Sequence, residues 1–407
     1  MGEQMPGGRL WAPLRSPDYR RLWAAQLISV VGDKVDQIAL GVLVYEITGS
    51  ELQMGIMLAI SMLPAALFGI VAGAYVDRWD RRRTMIVADI ARAALVLAVP
   101  FVAEYSLMAV YGVAFLVAAV SLFFEPAKLS LIPDLVAPDD LMAANSLDSV
   151  TVSVAELTGL VFAGGLVALM GTRSAFFLDS GTYLLSAVFV SLIAHRSPSA
   201  AGAAGGVSLA PIVRETSAGL QYVWSHPILR DLLAVYSVAM MGVAASTVFI
   251  YTIALDRYAA GAPGLAVLDG AITVGLLVGS VAVGRGDPSG PVRTLLRGLL
   301  AFGLLVSLLA FAPSVQWAAV VFFAAGIANM YFYVPLATVL QQGTLPIMRG
   351  RVFAAKQTLS RVLSVIGFIG AGALAEGVGL TPSILAAAAL IVIMALFGWS
   401  RPHLRAA

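Results

Sequence analysis

The sequence predicts a polytopic, all-helical membrane protein, on three observations. Apolar runs of about twenty residues recur along the whole chain, each long enough to cross ~30 Å of hydrocarbon as a helix. Of 407 residues, 60% are hydrophobic and 12% charged, where a soluble domain carries roughly a quarter charged. The remaining charge is gathered mostly into the gaps between runs, with arginine concentrated in alternate gaps. A backbone in lipid must satisfy its own hydrogen bonds, so the runs are helices.

About twelve runs meet that length. In order they cover 20–47, 53–76, 84–103, 106–125, 142–170 and 173–195, then 229–254, 264–284, 293–312, 316–340, 352–374 and 381–400. The amino terminus has no signal-peptide core, so the first run is expected to serve as both targeting signal and first span. Arg9, Arg15, Arg20 and Arg21, then Arg78 to Arg83, Lys128, Arg196, Arg214, Arg230, Arg285, Arg293, Arg349 and Arg351, and finally Arg401 and Arg405 all fall on one side. That side is the cytoplasm by the positive-inside rule, which puts both termini inside. The tryptophans Trp11, Trp23, Trp79, Trp224, Trp317 and Trp399 fall near run ends, where an amphipathic ring sits best.

The longest polar interruption divides the chain. Residues 1–195 form an amino-terminal six-helix bundle, 196–228 a cytoplasmic linker and 229–407 a carboxy-terminal six-helix bundle. Within the linker, Ser197 to Gly206 has a flexible composition. Leu209 to Trp224 reads as an amphipathic surface helix, with Ile212, Leu220, Tyr222 and Val223 toward lipid and Arg214 and Glu215 toward water.

Several function classes are excluded or disfavoured. The chain has no Cys, which removes disulfides and thiolate chemistry. His195, His226 and His403 stand apart near helix ends and suggest no metal site, and no P-loop is present. No nucleophile–base spacing appears, so neither an enzyme nor a cofactor is expected, and no nucleic-acid partner either.

Between the second and third runs stands Gly73-Ala74-Tyr75-Val76-Asp77-Arg78-Trp79-Asp80-Arg81-Arg82-Arg83. Gly73, Asp77, Arg78, Arg81 and Arg82 in that loop resemble the signature loop of the major facilitator superfamily. Asp80, where the family usually has Gly, is shared with its drug/proton antiporter-3 branch, which includes macrolide efflux proteins and siderophore exporters. Arg15 to Trp23, Gly32-Asp33, Phe124 to Ala127, Leu141 to Asn145, Gly219 to Pro227 and Arg349 to Val352 also resemble that branch, in order, over almost the whole chain. The Pro of the branch's fifth-helix signature is missing beside Gly159, Gly164 and Gly165. The resemblance implies two six-helix bundles, alternating access and proton coupling with no cofactor. It also implies a gate in which Asp77 meets the start of the eleventh helix, and Arg82 was within expected reach of Glu125.

Charges inside spans are costly and mark functional candidates. Gln26, Ser29, Asp33, Asp36 and Gln37 share one face of the first helix at about 100° per residue. Lys34 borders that face, and a static pair with Asp33 or Asp36 is the structural alternative. In the fifth helix Glu156 has no neutralising neighbour in sequence. Asp33, Asp36 and Glu156 are therefore the proton-coupling candidates, with an inter-helix ion pair as the alternative for Glu156. Asp89 and Arg92 are spaced to pair with each other. Asp179 and Asp269 are expected near the outer ends of their spans, solvated or capping. Gln357, Ser360, Arg361 and Ser364 share a face of the eleventh helix.

The expected cavity lining is Met62, Tyr236, Met240, Met241, Tyr251, Asn329, Tyr331 and Tyr333, with Gln26, Gln37, Gln357 and Arg361. Adaptable Met and aromatic side chains suit a bulky amphipathic solute, and ordinary helix packing is the alternative for each. The expectation is a monomeric, multi-pass transporter of the inner or plasma membrane that exports amphipathic drugs by proton antiport and confers antibiotic resistance. A dedicated lysolipid or siderophore exporter or flippase is the alternative. A non-transporting receptor is disfavoured by the mid-span carboxylates.

Overall fold

The computed structural model describes residues 10–76, 79–195, 209–284 and 290–406. Side chains at 70–75, 209–216, 405 and 406 fall outside the description, as do Asp77, Arg78, the linker composition at 197–206 and Arg285. Among the described residues every regular element is helical. In chain order they are α1 (Pro17–Thr48), α2 (Glu51–Val76), α3 (Arg81–Val102), α4 (Leu107–Leu135), α5 (141–170), α6 (172–191), α7 (Leu209–Ser225) and α8 (Pro227–Thr252). There follow α9 (Gly261–Gly284), α10 (Pro291–Leu308), α11 (Val315–Gln342), α12 (Arg349–Val378), α13 (Leu380–Ser400) and the short α14 (Pro402–Ala406).

Among the described residues, ten continuous helical stretches are long and apolar enough to cross a membrane. One of them spans Pro138–Ser191 and turns at Gly171, whose φ of 79° is left-handed, so it holds two helices, α5 and α6. Glycine reaches that conformation without a Cβ clash, which lets two spans join with almost no loop. α1 is also long enough, at 32 residues, but Asp33, Lys34 and Asp36 interrupt its apolar middle and keep it out of the ten.

Local chemistry explains the helix ends. Asp80 caps α3 by accepting from the Arg83 backbone N–H at 2.8 Å, and Ser314 caps α11 through Trp317 N–H. Such caps satisfy N–H groups that have no partner within the helix. α4 runs ten residues past the apolar run that predicted it, through Pro126 and Pro133. Lys128, counted from the sequence among the charges between runs, is part of this helix. It lies inside α4, almost fully buried, because Glu125 and Asp148 neutralise it at 3.0 and 3.2 Å.

Packing divides the chain into two compact units. The first takes α1 up to Leu40 and the chain from Leu67 through α6. Its core joins Tyr19, Leu22 and Ala25 of α1 to Met85 and Ala88 of α3, Phe124 and Leu131 of α4, and Leu147 of α5. The second takes Gly41–Ala66 and the helices from α7 onward. Within it Gly372 of α12 meets the backbone of Glu51 and Leu52 at the start of α2, an approach that any Cβ would block. Glu376 reinforces the same contact by accepting from Leu52 N–H at 3.3 Å and from the Ser50 hydroxyl. α7 packs on α12, where Gly219 lies against the Arg351 backbone. Val223, expected to face lipid, is buried instead. Leu220 stays exposed, and the Tyr222 hydroxyl accepts from Leu345 N–H at 3.4 Å.

Candidate functional site

The first unit holds a cavity of about 340 Å³ lined by polar and charged side chains. Gln26, Asp33 and Lys34 reach it from α1, Arg92 from α3, Phe124 and Glu125 from α4, and Glu156 from α5. The single polar face read from α1 is the reason: Gln26 and Ser29 are buried on it, and Asp33 continues it. Gly32 lets α1 come against Asp179 and Thr182 of α6, and Gly159 of α5 seats the Lys34 stem.

Arg92 organises the floor. It is 3% exposed, pairs with Asp89 one turn earlier, and lies over the Phe124 ring at 4.6 Å and the Tyr183 ring at 4.2 Å. Asp89, fully enclosed, also accepts from the Ser186 hydroxyl at 2.7 Å. A cation so placed has a carboxylate and two ring faces in place of water. Tyr183 donates its hydroxyl to Asp33. One tyrosine thus touches both the buried cation and the carboxylate that faces the cavity.

The Lys34 ammonium donates to the Gln37 side chain at 3.0 Å and stands 3.8 Å from Glu156. Glu156, which the sequence left without a neutralising neighbour, therefore has one from another helix. The Lys34 pair is with Glu156 and not with Asp33 or Asp36. Asp36 is half-buried on the same helix. Asp179 corrects a second expectation. It is 0% exposed and its Oδ1 accepts from Thr182 at 3.0 Å, while Oδ2 has no hydrogen-bond partner. A solvated outer end would leave it wet; packing against Gly32 shuts water out.

At the signature loop, Arg81 donates to Asp134 at 2.7 Å and to the Ser130 carbonyl at 2.8 Å. Arg82 does not reach Glu125. It donates to the carbonyls of Val190, at 3.1 Å, and Ser191, at the carboxyl end of α6. Open carbonyls and the negative helix end attract a guanidinium there, whereas Glu125 is already taken by Lys128. Asp77 and Arg78 of this motif lie outside the described residues, and Gly73 is described only as backbone of α2.

The second unit carries the remaining candidates. Tyr236, Tyr251 and Asn329 are buried; Met62, Met240, Met241 and Tyr331 are half-buried; Gln357 and Tyr333 are exposed. The Tyr251 ring lies against Gly41. Arg361 donates to the Ala65 carbonyl at 2.7 Å and not to an acid. Lys356, which the sequence reading passed over, is buried between the rings of Tyr236 and Tyr333. Its signal was present: the buried stripe of α12 runs Lys356, Ser360, Ser364, Gly367, one position away from the face chosen through Gln357. Tyr183 and Ser186 were also missed, since nothing local links them to Asp33 and Asp89.

Residues 22–360 match the Major Facilitator Superfamily. The multidrug efflux pump Tap of Mycolicibacterium fortuitum is 27% identical over 406 residues, covering 96% of this chain and 97% of its own. Macrolide efflux protein A of Streptococcus pyogenes is 24% identical over 385 residues, covering 93% and 94%. Among solved structures, the nucleoside transporter NupG superimposes with a TM-score of 0.76 at 11% identity, over 94% of this chain and 98% of that one. A match across most of the length, a helical fold shared with transporters and spans carrying interior charge lead to one assignment. The chain is a multi-pass integral membrane transporter, and it belongs to the Major Facilitator Superfamily.

Proposed function

We propose that this protein is a secondary exporter of amphipathic drugs, located in the plasma membrane of a bacterial host and driven by proton antiport. The observation that carries the reading is the cavity of the first unit, where Asp33 and Glu156 face a polar space beside Lys34 and Arg92. A carboxylate that faces such a space can answer a change in neighbouring charge and hydrogen bonding by taking up or releasing a proton. Asp33 and Glu156 each have a single partner that is free to let go, Tyr183 and Lys34. Asp36 is the reserve candidate. The efflux activity named for the relatives Tap and macrolide efflux protein A supports the direction and the substrate class.

In this reading α1–α6 and α8–α13 are twelve spans with both termini in the cytoplasm. Bundles 1–195 and 229–407, joined by 196–228, expose the cavity to one side at a time. Gly73, Asp77, Arg78, Arg81 and Arg82 form the inner gate, with Arg82 anchored on the Val190 and Ser191 carbonyls instead of Glu125. Met62, Tyr236, Met240, Met241, Tyr251, Asn329, Tyr331, Tyr333, Gln26, Gln37, Gln357 and Arg361 contact solute, and the unit of function is the monomer.

The test is export from proteoliposomes across a panel of amphipathic solutes with and without a pH gradient. Wild type should depend on the gradient, and Asp33→Asn and Glu156→Gln should each lose most of that dependence. Unchanged gradient-driven flux in the double variant would end the antiport reading. Gradient-independent movement of labelled lysolipid alone would favour a flippase.

A further inference from the structure

The charged interior of the second unit is opposite in sign to that of the first, and Lys356 is its centre. Its side chain is 4% exposed, and its ammonium lies 4.7 Å from the ring centroids of both Tyr236 and Tyr333. Among the described residues no carboxylate stands within ion-pair distance of it. The helices that build the box hold few acids. α11 has none. The one acid of α8, Asp231, is engaged by Arg230, Arg401 and His403. The one acid of α12, Glu376, lies twenty residues along the helix from Lys356 and is bound to Ser50 and Leu52. The nearest cation on α12 in the carboxyl direction, Arg361, is satisfied only by the Ala65 carbonyl.

Two ring faces offset part of the desolvation of an ammonium. Burial of an unpaired charge still carries a net cost. An ammonium has three donors, and rings do not accept them as an oxygen does. The missing partner is therefore an anion with oxygen acceptors. Tyr333, 41% exposed, is the side of the box from which it can be approached. A cationic solute would meet Lys356 and Arg361 without any carboxylate to receive it.

We propose that Lys356, framed by Tyr236 and Tyr333, is the subsite for the acidic group of the transported amphipath, a carboxylate or phosphate whose apolar body lies along the aromatic and Met240 side chains. This deepens the exporter reading and rests on it.

The probes are dodecanoate, dodecyl phosphate, lysophosphatidic acid, dodecanamide and dodecyltrimethylammonium, each displacing a fluorescent fatty acid from the purified full-length protein in detergent, with no gradient. Wild type should bind the acids about tenfold or more tightly than the amide, as a charge-assisted hydrogen bond gives, and the quaternary amine most weakly. Stronger binding of lysophosphatidic acid than of dodecyl phosphate would identify a lipid headgroup as the source of the phosphate, and equal or weaker binding a simple alkyl phosphate; both support an acid subsite. Lys356→Gln should abolish the acid-over-amide ratio while leaving amide affinity within about twofold, and Lys356→Arg should keep the ratio. A ratio near one in wild type would overturn the proposal, even without a variant. An equal loss for acid and amide in Lys356→Gln would also overturn it, since that marks a structural role. Because binding is read without a gradient, failure of proton-driven export in proteoliposomes counts against the exporter reading alone.

Discussion

The two units solve the problem of charge in a membrane in different ways. In the first, cations and acids are interleaved: Arg92 with Asp89, Lys128 with Glu125 and Asp148, Lys34 with Glu156. Asp33, Asp36 and Asp179 are left over without a cation within ion-pair distance among the described residues. In the second, the inner charges of α12 are basic, and rings and a carbonyl take the place of acids. A surplus of carboxylate in one unit and of ammonium in the other suits a division of labour. On the proposed function, the acid-rich interior would exchange protons and the base-and-ring interior would recognise the solute.

The sharpest way to break this contrast is to remove one cation from each unit. Arg92→Met should strand Asp89 in a dry core and cost about 3–5 kcal/mol, seen as a large fall in thermal unfolding temperature in detergent. Lys356→Met strands no acid. It should leave that temperature unchanged or raise it, as replacement of a buried charge by a packed apolar group often does. Equal falls in the two variants would remove the distinction. A smaller effect is expected at the signature loop. Arg82→Ala opens the Val190 and Ser191 carbonyls, which should lower stability by about 1 kcal/mol in the same assay.

At the entry to α1, burial raises the pKa of Asp18, but the Ala194 and His195 N–H groups and Arg21 outweigh it and hold the carboxylate below its ordinary value. A depressed pKa adds stability that is complete above the ordinary carboxylate range and is lost as pH falls through the folded value. Asp18→Asn should therefore be less stable than wild type at neutral pH, with the gap closing in acid. The least effect is expected from Asp179→Asn, which keeps an acceptor for Thr182. Its unfolding temperature should match wild type, and a large fall would show that the carboxylate has a partner of its own.

Much of the fold was legible because length and hydropathy are local properties. The i,i+3 spacing of Asp89 and Arg92 sufficed for their pair, and Gly171 stands at the gap between the fifth and sixth runs. The candidate site was legible only where one helix presents it, as with Gln26 and Asp33. Tyr183 reaches Asp33 across 150 positions of sequence, and no periodicity records that. Lys128 was counted between spans because the apolar run ends at 125, and Pro126 and Pro133 follow. Here α4 continues through both, with Lys128 held between acids. Lys356 was lost because the chosen face of α12 ran from Ser360 and Ser364 back through Gln357, whereas the buried stripe runs back through Lys356.

Tyr183 gives the first unit a built-in reporter. Its hydroxyl ends on Asp33 while its ring lies against Arg92, so a change of charge at the acid alters the vibration of the phenol as well as that of the carboxyl. Infrared difference spectra on stepping the pH, with ring-labelled tyrosine and with Tyr183→Phe as the blank, would follow the loading of that one group in the intact transporter, with no dye and no substrate present.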